Sequence, residues 1–326
     1  MPEMTMIEAI RDALRGEMTA DERVVLVGQD IGRFGGVFRA TDGLHAEFGE
    51  RRVFDMPLAE GAIIGSALGL AISGLRPVAE IQFLGFTHQA FHQIVSQVAR
   101  MRYRSQGRFP ASVVIRAPFG GGVKTPELHA DAIESQYAHV PGLKVVAPSS
   151  PREAKGMLLT AMRDPDPVLF CEPLRGYRLM KEDVPSESYT LDIDKVRIVR
   201  EGTDVTLIAW SAAVDLASRA ADALLSEGVR AHVVDLRSIA PLDVDGLIAA
   251  AERTGRCVVI HEAPLTAGFG AEVAATISCE AFYALQAPVE RVTGPDAPFP
   301  LAGAEQIYLP DVSQVVAAAR RTLAAS

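Results

Sequence analysis

Cysteine is scarce in this sequence: Cys171, Cys257 and Cys279 are the only three, no two form a C-x-x-C pair, and all lie among apolar residues. That usage favours a reducing compartment over a disulfide framework. Positive charge is in deficit too. Lys and Arg number 32 against 41 Asp and Glu, and the net charge of −9 argues against a nucleic-acid backbone or an anionic membrane as partner. The longest apolar run, Gly61 to Leu75, is glycine-rich and shorter than the ~20 residues of a membrane span. The Met1 region lacks the basic-then-apolar pattern of a signal peptide. Neither G-x-x-x-x-G-K-[ST] nor G-x-G-x-x-G occurs, so the usual phosphate-binding loops are missing. Together these absences predict a cytoplasmic protein with no nucleic-acid and no membrane partner.

What is present centres on Phe54 to Ile94. Glu60 follows Pro57-Leu58-Ala59 and precedes Gly61, Gly65 and Gly69, each four residues apart. On a helix those glycines share one face, where another backbone can come close. A carboxylate at a helix start is stabilised by the unpaired N–H groups and the dipole. Glu60 therefore reads first as a terminal charge on a tightly packed core helix. Gly74 to Pro77 reads as a turn, Val78 to Phe83 as a buried strand, and Gly85-Phe86 as a break before a second helix from Thr87 to about Arg104. In open parallel sheets ligands sit beyond the carboxyl ends of the strands. Glu60 and Phe86 both fall at such exits, so the second reading is a dry carboxylate and an aromatic ring that grip a flat heterocycle.

The rest of the first half alternates in the same way. A helix over Thr5 to Glu17, a strand over Arg23 to Gly28 and a loop over Phe34 to Phe38 come first. His88 and His92 stand four apart, but no Glu follows His88 and no third ligand is evident, which favours pocket lining or a subunit interface over zinc. Arg100, Arg102, Arg104 and Arg108 read as a solvated or ion-paired face. A strand over Ala111 to Ile115 runs into Gly120-Gly121-Gly122 and then PELHAD, a mobile substrate loop ending in His129. A loop histidine by itself is more often structural or solvent-facing than functional, and His139 reads as a cap or packing residue. The strand Leu143 to Ala147, the helix Pro151 to Met162, an Asp-Pro turn and the strand Val168 to Phe170 complete this half.

Residues from Glu172 to about Glu201 are polar and weakly periodic. They read as the linker stretch, with the domain bounds drawn at 1–185, 186–203 for the linker itself, and 204–326. Beyond it, strands at 205–210, 231–236, 257–260 and 289–292 alternate with helices at 214–226, 244–251 and 273–281, the pattern of a parallel sheet covered on both faces. His261-Glu262 ends one strand, yet this half shows no nucleophile elbow, phosphate loop or metal cluster and reads as structural.

DMPLAEGAIIGSALGLAISGLRPVAEIQF, with GGVFRATDGL, RAPFGGG, PELHAD, PGLKVVAPSSPREAKGML, RDPDPVLF, VVDLRSIAPLD and TGRCVVIHEA, resembles the beta subunit of the thiamine-diphosphate-dependent, decarboxylating component of 2-oxo acid dehydrogenase complexes. The resemblance covers nearly the whole chain. It implies an α/β fold of two parallel-sheet domains, a pyrimidine-binding thiamine-diphosphate domain followed by a transketolase C-terminal-like domain. It also implies decarboxylation of pyruvate or a branched-chain 2-oxo acid, with acyl transfer to the lipoyl groups of an acyltransferase core that docks on the second domain.

Carried onto this chain, the resemblance implies that Glu60 meets the aminopyrimidine ring nitrogen of the cofactor. It makes Phe86 the stacking ring, Leu58 and Gln89 its surroundings, and His129 the histidine facing the reacting carbon. Such a role for Glu60 requires a glutamate dry enough to share a proton. Val113, Ala161, Asp164 and Asp166 are implied ligands, mostly through backbone oxygens, of a structural potassium ion. Gln29 stands where the family pattern carries Glu; it hydrogen-bonds but does not titrate, so no acidic proton path is expected there. Gly-Asp-Gly, the start of the family's diphosphate motif, occurs nowhere. A separate alpha subunit is thus expected to bring magnesium and the diphosphate, in an α2β2 tetramer. Three other readings stand beside this one: the acetoin-cleaving relative, a non-catalytic scaffold subunit, and a nucleotide-binding electron-transfer module.

Overall fold

A computed structural model describes residues 2–325. Element starts follow from local chemistry. The Thr5 hydroxyl accepts from the Glu8 N–H while the Glu8 carboxylate accepts from the Thr5 N–H at 2.8 Å, a capping box that opens the helix Met6–Ala20. Ser150 caps Pro151–Arg163, whose proline fits the first turn, and Asp311 and Gln314 form a second capping box at Val312–Ala324.

The first sheet has seven strands in the spatial order Ser238–Ala240, Lys144–Val146, Val168–Pro173, Val114–Phe119, Arg76–Glu80, Val24–Gly28, Val53–Asp55. All neighbours are parallel except Ser238–Ala240, which comes from the C-terminal half and runs antiparallel at the rim. The second sheet has five strands, Glu290–Gly294, Cys257–Pro264, Val205–Ala209, Ala231–Asp235 and Arg197–Arg200, again parallel but for one edge. One apolar core joins the facing sides of the two sheets. It takes in Ile63, Ile64 and Ala67 of the helix Glu60–Ile72 together with Trp210, Val259, Phe269 and Val273. The outer faces are closed by Met6–Ala20 with Pro151–Arg163 on one side, and by Ala213–Leu225 with Val312–Ala324 on the other. Burying parallel strands on both faces is what makes their sequences near-continuous apolar runs.

Several expectations shift. The strand read from Val78 lies at Arg76–Glu80, and the one read from Ala111 lies at Val114–Phe119. The helix read from Thr87 to Arg104 is three pieces: a 3₁₀ segment Leu84–Ala90, a π segment Gln93–Val98 and a short α-helix Met101–Arg104. At the first piece the Thr87 hydroxyl takes the Leu84 carbonyl at 2.5 Å and in turn accepts from the Tyr137 hydroxyl at 2.6 Å, which holds the tight turn. The polar linker does not begin at Glu172. That residue is wholly buried in a strand, and Lys181–Asp183 pairs with Glu3–Thr5 in a two-stranded sheet. Its charge looked like surface because its partner, Arg116, is distant in sequence. Among the described residues no helix is long and apolar enough to cross a membrane.

Candidate active site

The carboxyl ends of Arg76–Glu80 and Val114–Phe119 lead towards Phe86 and His129, and that of the edge strand Val53–Asp55 leads to Leu58 and Glu60. The Gly32 N–H donates to Asp55 at 2.6 Å, tying the loop after Val24–Gly28 to the segment that leads into Glu60. Gly36 takes φ +79°, and a Cβ there would lie 2.9 Å from a Glu80 carboxylate oxygen, so only glycine fits that turn. Asp30 accepts from the side-chain amides of Gln29 at 3.4 Å and Gln82 at 3.5 Å.

Glu60 is the first residue of its helix, behind an Ala59 that offers no side-chain cap. It is 8% exposed, and among the described residues nothing hydrogen-bonds its carboxyl. The first turn packs on Leu84–Ala90: a Cβ on Gly61 would sit 3.3 Å from the Gln89 carbonyl oxygen, and one on Gly65 4.0 Å from the Gln93 side chain. The expected close approach of another backbone thus occurs at Gly61 alone; Gly65 makes only ordinary contact with a side chain, and a Cβ on Gly69 would meet nothing within 4 Å. Phe86, half-buried, meets His129 edge to face at 4.9 Å between ring centres, and Phe83 meets His129 at 4.5 Å. His129 Nδ1 lies 2.9 Å from the Glu127 carbonyl oxygen. A carbonyl only accepts, so Nδ1 carries the proton and Nε2 is left as an acceptor. Leu58 projects outward at 72% exposure, and the Gln89 side chain is exposed as well. The structure thus brings Phe86 and His129 together, and buries Glu60 at the start of the neighbouring helix.

A buried framework supports the aromatic pair. Arg116 donates to Glu80 at 2.8 Å and to both oxygens of Glu172 at 2.7 and 3.0 Å. Burial works against the guanidinium charge, but the two carboxylates outweigh it and hold Arg116 firmly protonated. Burial, with Glu172 nearby, leaves the Glu80 carboxyl above its ordinary range despite Arg116. The Tyr177 hydroxyl donates to Glu172, and its ring begins a run through Phe38 (5.2 Å) and Phe83 (5.5 Å) to His129. Sequence reading passed over Glu80, Arg116 and Glu172 as site supports. Each is a lone charge inside an apolar strand, and that was the available signal.

The remaining sequence candidates sit elsewhere. Ala161 lies in the last turn of Pro151–Arg163, and Asp164 and Asp166 follow that helix; the Ala161 carbonyl accepts from the Asp164 N–H at 3.3 Å and the Asp166 carboxylate pairs with Arg102 at 2.8 Å. Val113 precedes the strand Val114–Phe119, and its carbonyl accepts from the Val168 N–H at 3.0 Å. His88 lies 3.2 Å from Gln136, and among the described residues no cluster of three or more His, Cys, Asp or Glu forms a metal-binding group.

Between the domains lies another group that sequence reading did not raise, Glu134. It is 1% exposed, accepts from Trp210 Nε1 at 3.2 Å through one oxygen and leaves the other without a partner. Burial pushes its carboxyl up to about 7. A raised folded value means that the stabilising proton is lost as pH climbs from the unfolded range through about 7. Trp210 is the chain's single tryptophan. Its fluorescence, taken as the difference between wild-type and Trp210→Phe protein, is expected to titrate near pH 7. The Glu134→Gln protein should lack that transition and resist unfolding at pH 8 better than wild type; an unchanged titration in the Gln variant would discard the assignment.

A seven-stranded parallel-rich sheet, followed by a second α/β unit with its own five-stranded sheet, is a transketolase-type architecture. Residues 2–180 match the model of the transketolase pyrimidine binding domain, and residues 194–315 that of the transketolase C-terminal domain. A solved chain titled "split gene transketolase, inactive beta4 tetramer" superposes with a TM-score of 0.81 at 26% identity, covering 99% of both chains. The pyruvate dehydrogenase E1 component subunit beta of Bacillus subtilis is 52% identical over 323 residues, covering 99% of both chains; the Staphylococcus epidermidis and Staphylococcus aureus proteins of the same name are 50% and 49% identical at equal coverage. The chain belongs to the beta-subunit family of the first component of 2-oxo acid dehydrogenases.

Proposed function

We propose that this chain is the beta half of a pyruvate-decarboxylating, lipoyl-acylating E1 enzyme that holds thiamine diphosphate jointly with an alpha subunit. The observation that supports the reading is the Glu60 carboxyl: buried at a helix start and bare of hydrogen-bond partners among the described residues. Thiamine diphosphate, when bound, supplies the electron sink that decarboxylation of a 2-oxo acid requires. Glu60 would hold a proton at the aminopyrimidine ring nitrogen, Phe86 would offer its ring for stacking, and Leu58 and Gln89 would flank the heterocycle. Nε2 of His129 is free to exchange a proton near the reacting carbon or to orient the incoming lipoyl arm.

In this reading magnesium and the diphosphate belong to the alpha subunit, within an α2β2 assembly, which is consistent with the absence of Gly-Asp-Gly from this sequence. The acyltransferase core would dock on the second domain, with the division kept at 1–185, 186–203 and 204–326. In the same reading the carbonyls around Val113, Ala161, Asp164 and Asp166 hold a potassium ion, a hard cation suited to such oxygens, and the enzyme works in the cytoplasm. Pyruvate is favoured over branched-chain acids and acetoin by the names of the curated relatives. Co-expression with an alpha subunit, followed by assays on pyruvate, 2-oxoisovalerate and acetoin, tests it. The pair should decarboxylate pyruvate best and the single chain none of the three; turnover by the chain alone would overturn the proposal.

A further inference from the structure

We infer that Glu262 and Glu305, both on the C-terminal half, are positioning residues that hold His129 in place for the reaction proposed above, on which this inference rests. The connection between Phe119 and Glu134 has no regular structure, so the N–H groups of its backbone need acceptors from elsewhere. Two carboxylates supply them. The Gly121 N–H donates to Glu262 at 2.9 Å; the Gly122 N–H donates to one oxygen of Glu305 and the Lys124 N–H to the other at 3.1 Å. Successive N–H groups in a glycine turn form a concavity for an anion. Here the chain's own Glu305, 4% exposed, fills that concavity.

The triple glycine has a physical reason in this contact. A Cβ on Gly120 would lie 2.6 Å from a Glu262 oxygen, and one on Gly121 2.8 Å from the Phe299 ring, while Gly120 and Gly122 take φ of +79° and +103°. The far end of the loop is held as well. Ala130 lies in a small apolar cluster with Phe299, Tyr308 and Leu309, and the Leu128 carbonyl lies so near Gly85 that a Cβ there would come within 2.3 Å of it. His129 sits between those last two contacts, against Phe83 and Phe86. Its place therefore depends on side chains more than 130 residues later in the chain. Hydrogen bonds to carboxylates are about twice as strong as neutral ones, which makes the two glutamates the stronger part of this hold.

The test uses the complex assembled with its alpha subunit, carrying Glu305→Gln, Glu305→Ala or Glu262→Gln. Amide hydrogen exchange over residues 120–130 is read without substrate, and kcat and KM are read with pyruvate. Glu305→Ala should speed exchange in that loop by about ten- to a hundred-fold and lower kcat by a similar factor, with KM changed far less. Glu305→Gln keeps one acceptor oxygen and should fall between wild type and Ala in both readouts. Loop exchange at the wild-type rate in all three variants, or a loosened loop with unaltered kcat, would overturn the inference. Should wild-type complex fail to turn over pyruvate, the proposed function falls, while the exchange result still reports on the loop by itself.

Discussion

Glu60→Gln is expected to slow 2-oxo acid decarboxylation by about 10²- to 10⁴-fold, the usual contribution of a placed acid or base, with assembly unharmed. The side chain sits at the first helical position, where the fold asks little of it: Ala59 and not Glu60 is the cap, and within the described residues the carboxyl holds no hydrogen bond whose loss would cost stability. Gln has nearly the same shape and still accepts and donates hydrogen bonds, but it cannot take up or release a proton. A scaffold in which Glu60 merely complements the helix dipole would lose a few tenths to about 1 kcal/mol of stability and no activity. Steady-state decarboxylation by the αβ assembly, with sedimentation to confirm its size, separates the two. Activity within about threefold of wild type would remove Glu60 from the chemistry.

Arg116→Met should destabilise the fold by about 3–5 kcal/mol, because it strands two carboxylates in the interior. Arg116 is 2% exposed, and Met fills much of its volume, so lost packing is the smaller part of the effect. Glu80 is already raised by burial, and without the guanidinium it is raised further. A carboxyl whose folded value lies above its unfolded one favours folding at low pH and loses that stabilisation as pH rises through the folded value. The variant's deficit should accordingly be greater at pH 8 than at pH 5.5 in urea unfolding. Replacing Glu80 and Glu172 by Gln in the same protein should restore most of the loss. A deficit below about 1 kcal/mol, or one that does not depend on pH, would show that the triad is not a charge balance.

Apolar periodicity made the helix from Glu60 and the alternation of both halves legible, because a parallel sheet covered on two faces leaves its strands almost wholly apolar. Boundaries failed where a charge entered a strand. Glu172 read as a linker start because its neutralising partner lies 56 positions earlier. The segment after Thr87 failed for a different reason: a side-chain hydroxyl and a five-residue turn redirect the backbone without altering the 3.6 pattern. Glu60, Phe86 and His129 were visible as residues of the right kind, but the contact between Phe86 and His129 was not, since it depends on the path of a loop whose contacts come from residues 262–309. Glu262 was noticed at its strand end and set aside; only its 2.9 Å contact with Gly121 gives it a purpose.

The short strand Ser238–Ala240 borders a sheet otherwise built from the first 173 residues. A gene fragment ending in the 186–203 connection would consequently yield a polypeptide whose Lys144–Val146 ladder has bare amides and carbonyls along one margin, the kind of edge on which separate molecules stack into aggregates. Dissecting this subunit into soluble halves would first require a substitute for three residues that the second half lends to the first.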